Sequence, residues 1–137
     1  PLLAFYSKVP DKEEVDRYLE SLRKEIASRT REFRQKPVVS TLYIGGGTPT
    51  VLDEGQWNDL CRVLEEGLSF IPGAEVSVEA NPDSLRDGHL EVWKEWRISR
   101  VSLGIQSFSD KLLLWLGRLH DSKKALLALE AVRGKGF

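Results

Sequence analysis

Apolar residues recur along this chain in two rhythms, one helical and one strand-like, and the switches between them lay out its elements. Val15, Tyr18, Leu22, Ile26 and Phe33 follow helical spacing behind Pro10-Asp11-Lys12-Glu13-Glu14, a capping-box start, and predict a first helix over 11–34. Val38, Val39, Leu42, Tyr43 and Ile44 read as a buried strand that ends abruptly in Gly45-Gly46-Gly47 and Thr48-Pro49-Thr50. Asp53 and Gln56 can cap a second helix with Trp57, Leu60, Leu64 and Leu68 on its apolar face, and Pro72-Gly73 is expected to stop it. Residues 75–79 alternate with period two, as a strand does, and close on Ala80-Asn81-Pro82. Ser84 is expected to open a third helix through Leu85, Leu90, Trp93 and Trp96. Residues 100–106 form a third predicted strand. A helix near 109–116 follows, and then one from Asp121 with Ala125, Leu126, Leu129 and Val132 inward and Gly134 and Gly136 at its end.

The order α-β-α-β-α-β-α-α implies an α/β fold whose parallel strands are joined by right-handed crossovers. Ligands of such sheets bind at the carboxyl ends of the strands. Each predicted strand finishes there in a polar or glycine element: Gly45 to Thr48, Glu79-Ala80-Asn81, and Gln106-Ser107. Three parallel strands cannot close a barrel or cover both sheet edges, so the chain reads as a piece of a larger domain.

Composition narrows the classes. With 137 residues, 41% hydrophobic and 30% charged, a folded body is within reach. Twenty Lys plus Arg against 21 Asp plus Glu leave a charge of −1, which offers no global field for nucleic acid or an anionic membrane. No nucleic-acid partner is expected. Cys61 is the lone cysteine, so there is no internal disulfide, and one thiolate cannot hold a zinc or iron-sulfur site. No apolar run is long enough to span a bilayer and no signal-peptide layout is present, so no integral membrane segment and a cytoplasmic location are expected.

The blocks GGGTPT at 45–50, EANP at 79–82, VSLGIQSF at 101–108 and LGRLH at 116–120 carry a resemblance. They are similar to the signatures of the radical-SAM family of oxygen-independent coproporphyrinogen III oxidases and their HemW-type heme-chaperone relatives. The resemblance covers residues 5–137, and Ala4-Phe5-Tyr6-Ser7 is similar to the segment that follows the family's cluster-binding cysteines. It implies a partial radical-SAM, TIM-like barrel, with residues 1–137 a fragment of a single core domain. Members hold a [4Fe-4S] cluster on a Cys-x3-Cys-x2-Cys loop, and its open iron binds S-adenosylmethionine and cleaves it to a 5′-deoxyadenosyl radical. That loop is missing: Leu3 stands where its last cysteine is expected, so no metal ligand is assigned in this chain. Retention of every cosubstrate motif favours a missing segment over a degenerate member.

The resemblance implies that Gly46, Gly47 and Thr48 border the methionine end of S-adenosylmethionine, although a glycine turn alone would also fit these residues. Glu79 can accept hydrogen bonds from the ammonium or the ribose hydroxyls, against the plain alternative of a solvated strand-end charge. Gln106 offers a donor and an acceptor to the ribose or the carboxylate. Arg118 can pair bidentately with the carboxylate, a reading that leans on the LGRLH match. His120 belongs to that motif and is as well explained by a structural role. His89 is expected at the surface, Cys61 in the core, and Trp57, Trp93, Trp96 and Trp115 packed against the sheet. The basic stretch from Arg29 to Lys36 reads as a solvated helix end.

Three functions follow. The QSF and LGRLH forms favour a HemW-like heme chaperone, which implies heme or another tetrapyrrole as small-molecule partner and a heme-acceptor protein. The first alternative is a true oxygen-independent coproporphyrinogen III dehydrogenase that decarboxylates propionate side chains. The second is an unrelated barrel fragment that binds phosphate at the glycine turn. The 137-residue chain alone, with its single thiol, is expected neither to assemble a [4Fe-4S] cluster nor to cleave S-adenosylmethionine. A cluster absorption band after anaerobic reconstitution, together with 5′-deoxyadenosine release, would contradict this.

Overall fold

The structure, a computed structural model, describes residues 10–137. The readings placed on Leu3 and on Ala4 to Ser7 lie outside the described residues. Helix α1 (Lys12–Thr30) opens on the expected capping box: Asp11 Oδ1 accepts from the Glu14 N–H at 2.8 Å, and Glu14 Oε2 accepts from the Asp11 N–H at 3.1 Å. It stops at Thr30 rather than 34, where the basic stretch supplies no apolar residue to bury except Phe33, and that ring is exposed. Val15 and Leu19 are its buried residues, and Tyr18 faces solvent.

Strand β1 (Val38–Ile44), a 3-10 turn (Pro49–Val51) and helix α2 (Glu54–Gly67) follow, with Asp53 and Gln56 capping α2 reciprocally. Strand β2 (Ser69–Ala80) then begins at once. Pro72-Gly73 therefore does not stop α2. It lies inside β2, where the pairing with β1 jumps from Val39↔Phe70 to Thr41↔Glu75. A proline cannot donate to the ladder, and Gly73 sits at φ +75°, so both fit a break in pairing. Helix α2 ends instead against α1: a Cβ on Gly67 would meet Ile26 Cγ2 at 2.0 Å.

Helix α3 (Asp87–Glu95) starts later than Ser84 because residues 82–85 form a turn, with the Ser84 and Leu85 amides donating to the Asn81 carbonyl. Strand β3 (Arg100–Leu103) ends before Gln106, and the Gly104 N–H gives Ala80 O one last bond at 2.9 Å. Helices α4 (Asp110–Trp115) and α5 (Ser122–Gly134) lie as expected. On α5, Ala125, Ala128 and Val132 are buried and Leu129 is half-buried, while Leu126 is exposed.

The sheet is parallel in the order β1-β2-β3, as the α/β reading expects. Val76 and Val78 on the central strand are fully buried against Trp57 and Trp93, whose rings meet edge to face at 5.2 Å. Cys61 is buried in that core, and burial pushes its thiol pKa up to about 12. Trp96 is half-buried and donates to Glu65 Oε1, but Trp115 is 72% exposed.

His89 is not at the surface. Its exposure is 0%, its ring stacks on Trp93, Nδ1 accepts from the Arg86 N–H at 3.3 Å, and Nε2 lies 2.8 Å from the Leu52 carbonyl, to which it can donate. Burial holds its pKa below the ordinary histidine value, and the nearby Arg86 cation adds to that. Unfolded, His89 titrates near about 6.5, so below that pH the unfolded state binds the extra proton first and stability falls as pH drops. The thermal midpoint should therefore fall between about pH 7.5 and about pH 5.5. His89→Gln, although less stable overall, should flatten that segment of the profile. Parallel profiles for the two proteins would place the titration elsewhere.

Candidate functional site

The register sets the strand ends level. Ile44 pairs with Val78, and Ala80 with Leu103, so the loops after all three strands leave from one edge. They enclose a cleft of about 260 Å³ lined by Gly47, Thr48, Glu79, Asn81, Gln106 and Arg118, among others. Five of the six residues singled out from sequence line it, and Gly46 joins them by donating its N–H to Glu79 Oε2 at 3.2 Å. Gly46 needs its freedom, with φ at +110°. A larger cavity of about 610 Å³ opens between α1, β1 and α2, but among the described residues Glu14 is the one charged residue in its mostly apolar lining. The smaller cleft holds the convergent polar chemistry and is the candidate site.

Glu79, one residue from the end of β2, is held on both oxygens. Tyr43 Oη donates to Oε1 at 2.5 Å, and Gly46 N–H reaches Oε2. Tyr43 thus differs from its reading as a buried strand residue: its side chain is 60% exposed, because β1 is an outer strand of this sheet. The hydrogen bond to Glu79, with the carboxylate's charge, raises the phenol pKa.

Arg118 follows α4 through Gly117, which turns the chain at φ +70°. Its Nη2 donates to Gly104 O at 3.0 Å and to Asn81 Oδ1 at 3.3 Å. Its Nε is buried without a partner among the described residues. Gln106 is a non-glycine residue at φ +70°, a conformation that costs energy and recurs at functional sites.

Residues not singled out as contacts brace this edge. Thr50 is fully buried, shares a 2.6 Å hydrogen bond with Ser84 Oγ, and accepts from the Asn81 N–H at 3.4 Å. His120 is buried between two loops, with Nε2 2.9 Å from Ile105 O and Nδ1 3.3 Å from Asp83 Oδ2. It acts as a latch between the segments following β2 and β3, and Lys124 Nζ also reaches Asp83, at 3.3 Å. The TPT, EANP and LGRLH blocks contained Thr50, Asn81 and His120, while Asp83, Ser84 and Lys124 lay outside them, and spacing does not separate a brace from a contact.

The donor set suits a zwitterion. Glu79 supplies a fixed carboxylate for an ammonium, and the unpartnered Arg118 Nε is the kind of buried donor that a ligand carboxylate satisfies. The methionine end of S-adenosylmethionine carries both groups. An iron-sulfur cluster does not fit: among the described residues no group of three His, Cys, Asp or Glu could hold a metal, and Cys61 is a buried thiol far from ionising.

Comparison with known proteins agrees with the motif reading. The Radical SAM superfamily profile matches residues 5–137. The chain is 39% identical over 126 residues to the heme chaperone HemW of Bacillus subtilis, covering 90% of this chain and 32% of that protein. To HemW of Escherichia coli it is 31% identical over 134 residues, covering 98% of this chain and 34% of that one. Among solved structures it is similar to the Escherichia coli coproporphyrinogen III oxidase HemN, a radical SAM enzyme, with TM-score 0.81 and 32% identity, covering 90% of this chain and 28% of that one. The chain thus spans about a third of the length of these curated relatives.

Gln106 allows stability and binding to be separated. Left-handed backbone costs a non-glycine residue about 1–2 kcal/mol, and glycine's extra unfolded-state freedom cancels about 0.5–1 of that. Gln106→Gly should therefore stabilise the fold by about 0.5 kcal/mol in chemical denaturation while weakening ligand binding in the full-length protein. A clear loss of stability would show that the side chain is there to hold the loop.

Proposed function

This chain belongs to the Radical SAM superfamily, and we propose that it is the S-adenosylmethionine-binding part of a single radical SAM core domain, in a HemW-like heme chaperone. The observation that carries the binding role is the pairing, in one cleft, of a held carboxylate at Glu79 with an unsatisfied guanidinium N–H at Arg118. When bound, S-adenosylmethionine would supply the sulfonium whose reductive cleavage characterises the family. The residues of this chain orient its methionine end. Glu79 accepts from the ammonium, Arg118 donates to the carboxylate, and Gln106 reaches the ribose or the carboxylate. Gly46, Gly47 and Thr48 present bare backbone and a hydroxyl beside them. The thiolates for a [4Fe-4S] cluster would come from outside the described residues.

The chaperone branch is supported by the QSF and LGRLH blocks and by the curated relatives, which carry the name heme chaperone HemW. On this reading the full-length protein binds heme, hands it to an acceptor protein and works in the cytoplasm. Among the described residues no helix is long and apolar enough to cross a membrane. A second reading, coproporphyrinogen III dehydrogenase, draws on the likeness to HemN. Stoichiometric heme binding without turnover by the reconstituted full-length protein would support the first, and porphyrinogen decarboxylation the second.

Arg118→Lys tests the binding role. Lysine keeps the charge but replaces a planar fork with a point donor. Loss of one charge-assisted bond, about 1.5–3 kcal/mol, corresponds to about tenfold to hundredfold weaker S-adenosylmethionine binding. Cluster assembly should survive, since Arg118 is no iron ligand. Equal dissociation constants, followed through the cluster signal of the reconstituted full-length proteins, would remove Arg118 from the site.

A further inference from the structure

We infer that Tyr43 is a positioning residue for Glu79: its phenol and the Gly46 N–H clamp the carboxylate at the sheet edge, in a fit that only a bare Gly45 allows. The inference rests on the reading of Glu79 as an S-adenosylmethionine contact and adds how that contact is made.

The geometry follows from the ladder. Tyr43 pairs with Ser77 and Ile44 with Val78, so one step further along, Gly45 lies level with Glu79. Side chains two apart on a strand share a face, so Tyr43, Gly45 and Glu79 meet on the same side of the sheet. To reach Glu79 the Tyr43 ring must lean along its own strand over residue 45. A Cβ on Gly45 would stand 2.6 Å from Tyr43 Cε1 and 2.9 Å from both Glu79 Cδ and Oε2. Gly45 is needed here for space rather than for an unusual backbone angle, unlike Gly46.

The clamp changes what a ligand meets. A free glutamate at a strand end surrenders rotamer entropy when it binds. A carboxylate already fixed by an O–H on one oxygen and an N–H on the other has lost that freedom beforehand, which is preorganisation. Both oxygens keep further lone pairs for an ammonium. The raised phenol pKa keeps the proton on Tyr43, where it can be donated to Glu79.

The experiment is calorimetric titration of the cluster-loaded full-length protein with S-adenosylmethionine, for wild type, Tyr43→Phe, Glu79→Ala, the double variant and Arg118→Lys. Phenylalanine keeps the ring that packs over Gly45 and removes the hydroxyl alone. Tyr43→Phe should weaken binding about threefold to tenfold with an unchanged melting temperature, and should have no further effect once Glu79 is alanine, because coupled residues lose their energy together. If Tyr43→Phe binds like wild type while Glu79→Ala binds weakly, the clamp is wrong and the site reading stands. Equal losses from Tyr43→Phe with and without Glu79 would also overturn the clamp. If Glu79→Ala is neutral while Arg118→Lys is weakened, Glu79 is no ligand contact and the clamp falls with it. Neutral effects throughout would remove the site reading itself.

Discussion

The amide of Asn81 is the joint on which the rest of this edge depends. Its Oδ1 accepts from Arg118 Nη2 and from the Asp83 N–H, and its own N–H goes to Thr50 Oγ1. Its carbonyl takes the Ser84 and Leu85 amides. One residue thus links the turn after β1, the turn after β2, and, through Arg118 and Gly104, the loop after β3. These groups are partly buried, so each unmade bond would cost more than it would in water. With Nη2 fixed on two acceptors, the guanidinium cannot rotate freely, and its Nε is left buried and unmatched. Holding three loops together thus leaves one donor unmatched in the wall of the cleft.

Periodicity revealed this architecture where one face of an element is buried. The caps at Asp11 and Asp53 are local chemistry, since each carboxylate bonds an amide three residues on, and they were readable from sequence. Pro72-Gly73 was misread because breakers mark any interruption of a regular ladder. Nothing local distinguishes a helix end from a break in strand pairing, and here the partner residues Val39 and Thr41 decide. Strand β1 shows the same limit. Val38 and Tyr43 belong to an apolar run, yet both are exposed, because among the described residues the run borders only one neighbour in the sheet. The candidate site residues Gly46, Gly47, Thr48, Glu79 and Gln106 come from motifs at strand ends, and Arg118 from the LGRLH block after α4. The Tyr43–Glu79 contact does not, because it depends on register between strands 36 residues apart.

The two histidines make the same point through burial. His89 and His120 are both enclosed, although one was expected at the surface. His89 sits on α3 against Trp93 and joins it to the Leu52 carbonyl, so it belongs to the packing of the helical layer. His120 sits between Asp83 and Ile105 O and belongs to the loop layer. Composition is the same in both cases. What differs is which acceptors the topology brings within reach. Trp115 is the converse: a large apolar ring at helical spacing that is left exposed among the described residues.

The charge arrangement also decides between ligand chemistries. A phosphate at the glycine turn would require free backbone N–H groups and no anion among them. Here the Gly46 N–H is already given to Glu79, and that carboxylate stands where a phosphate's charge would be repelled. A ligand with an ammonium meets the opposite situation: the carboxylate attracts it, and the same N–H only fixes the acceptor. Arg118, on the far loop of the cleft, offers a cation for the negative end of such a molecule. A site with one fixed charge of each sign has little pull on simple anions or simple cations. It suits a ligand that carries both charges, as the amino-acid end of S-adenosylmethionine does.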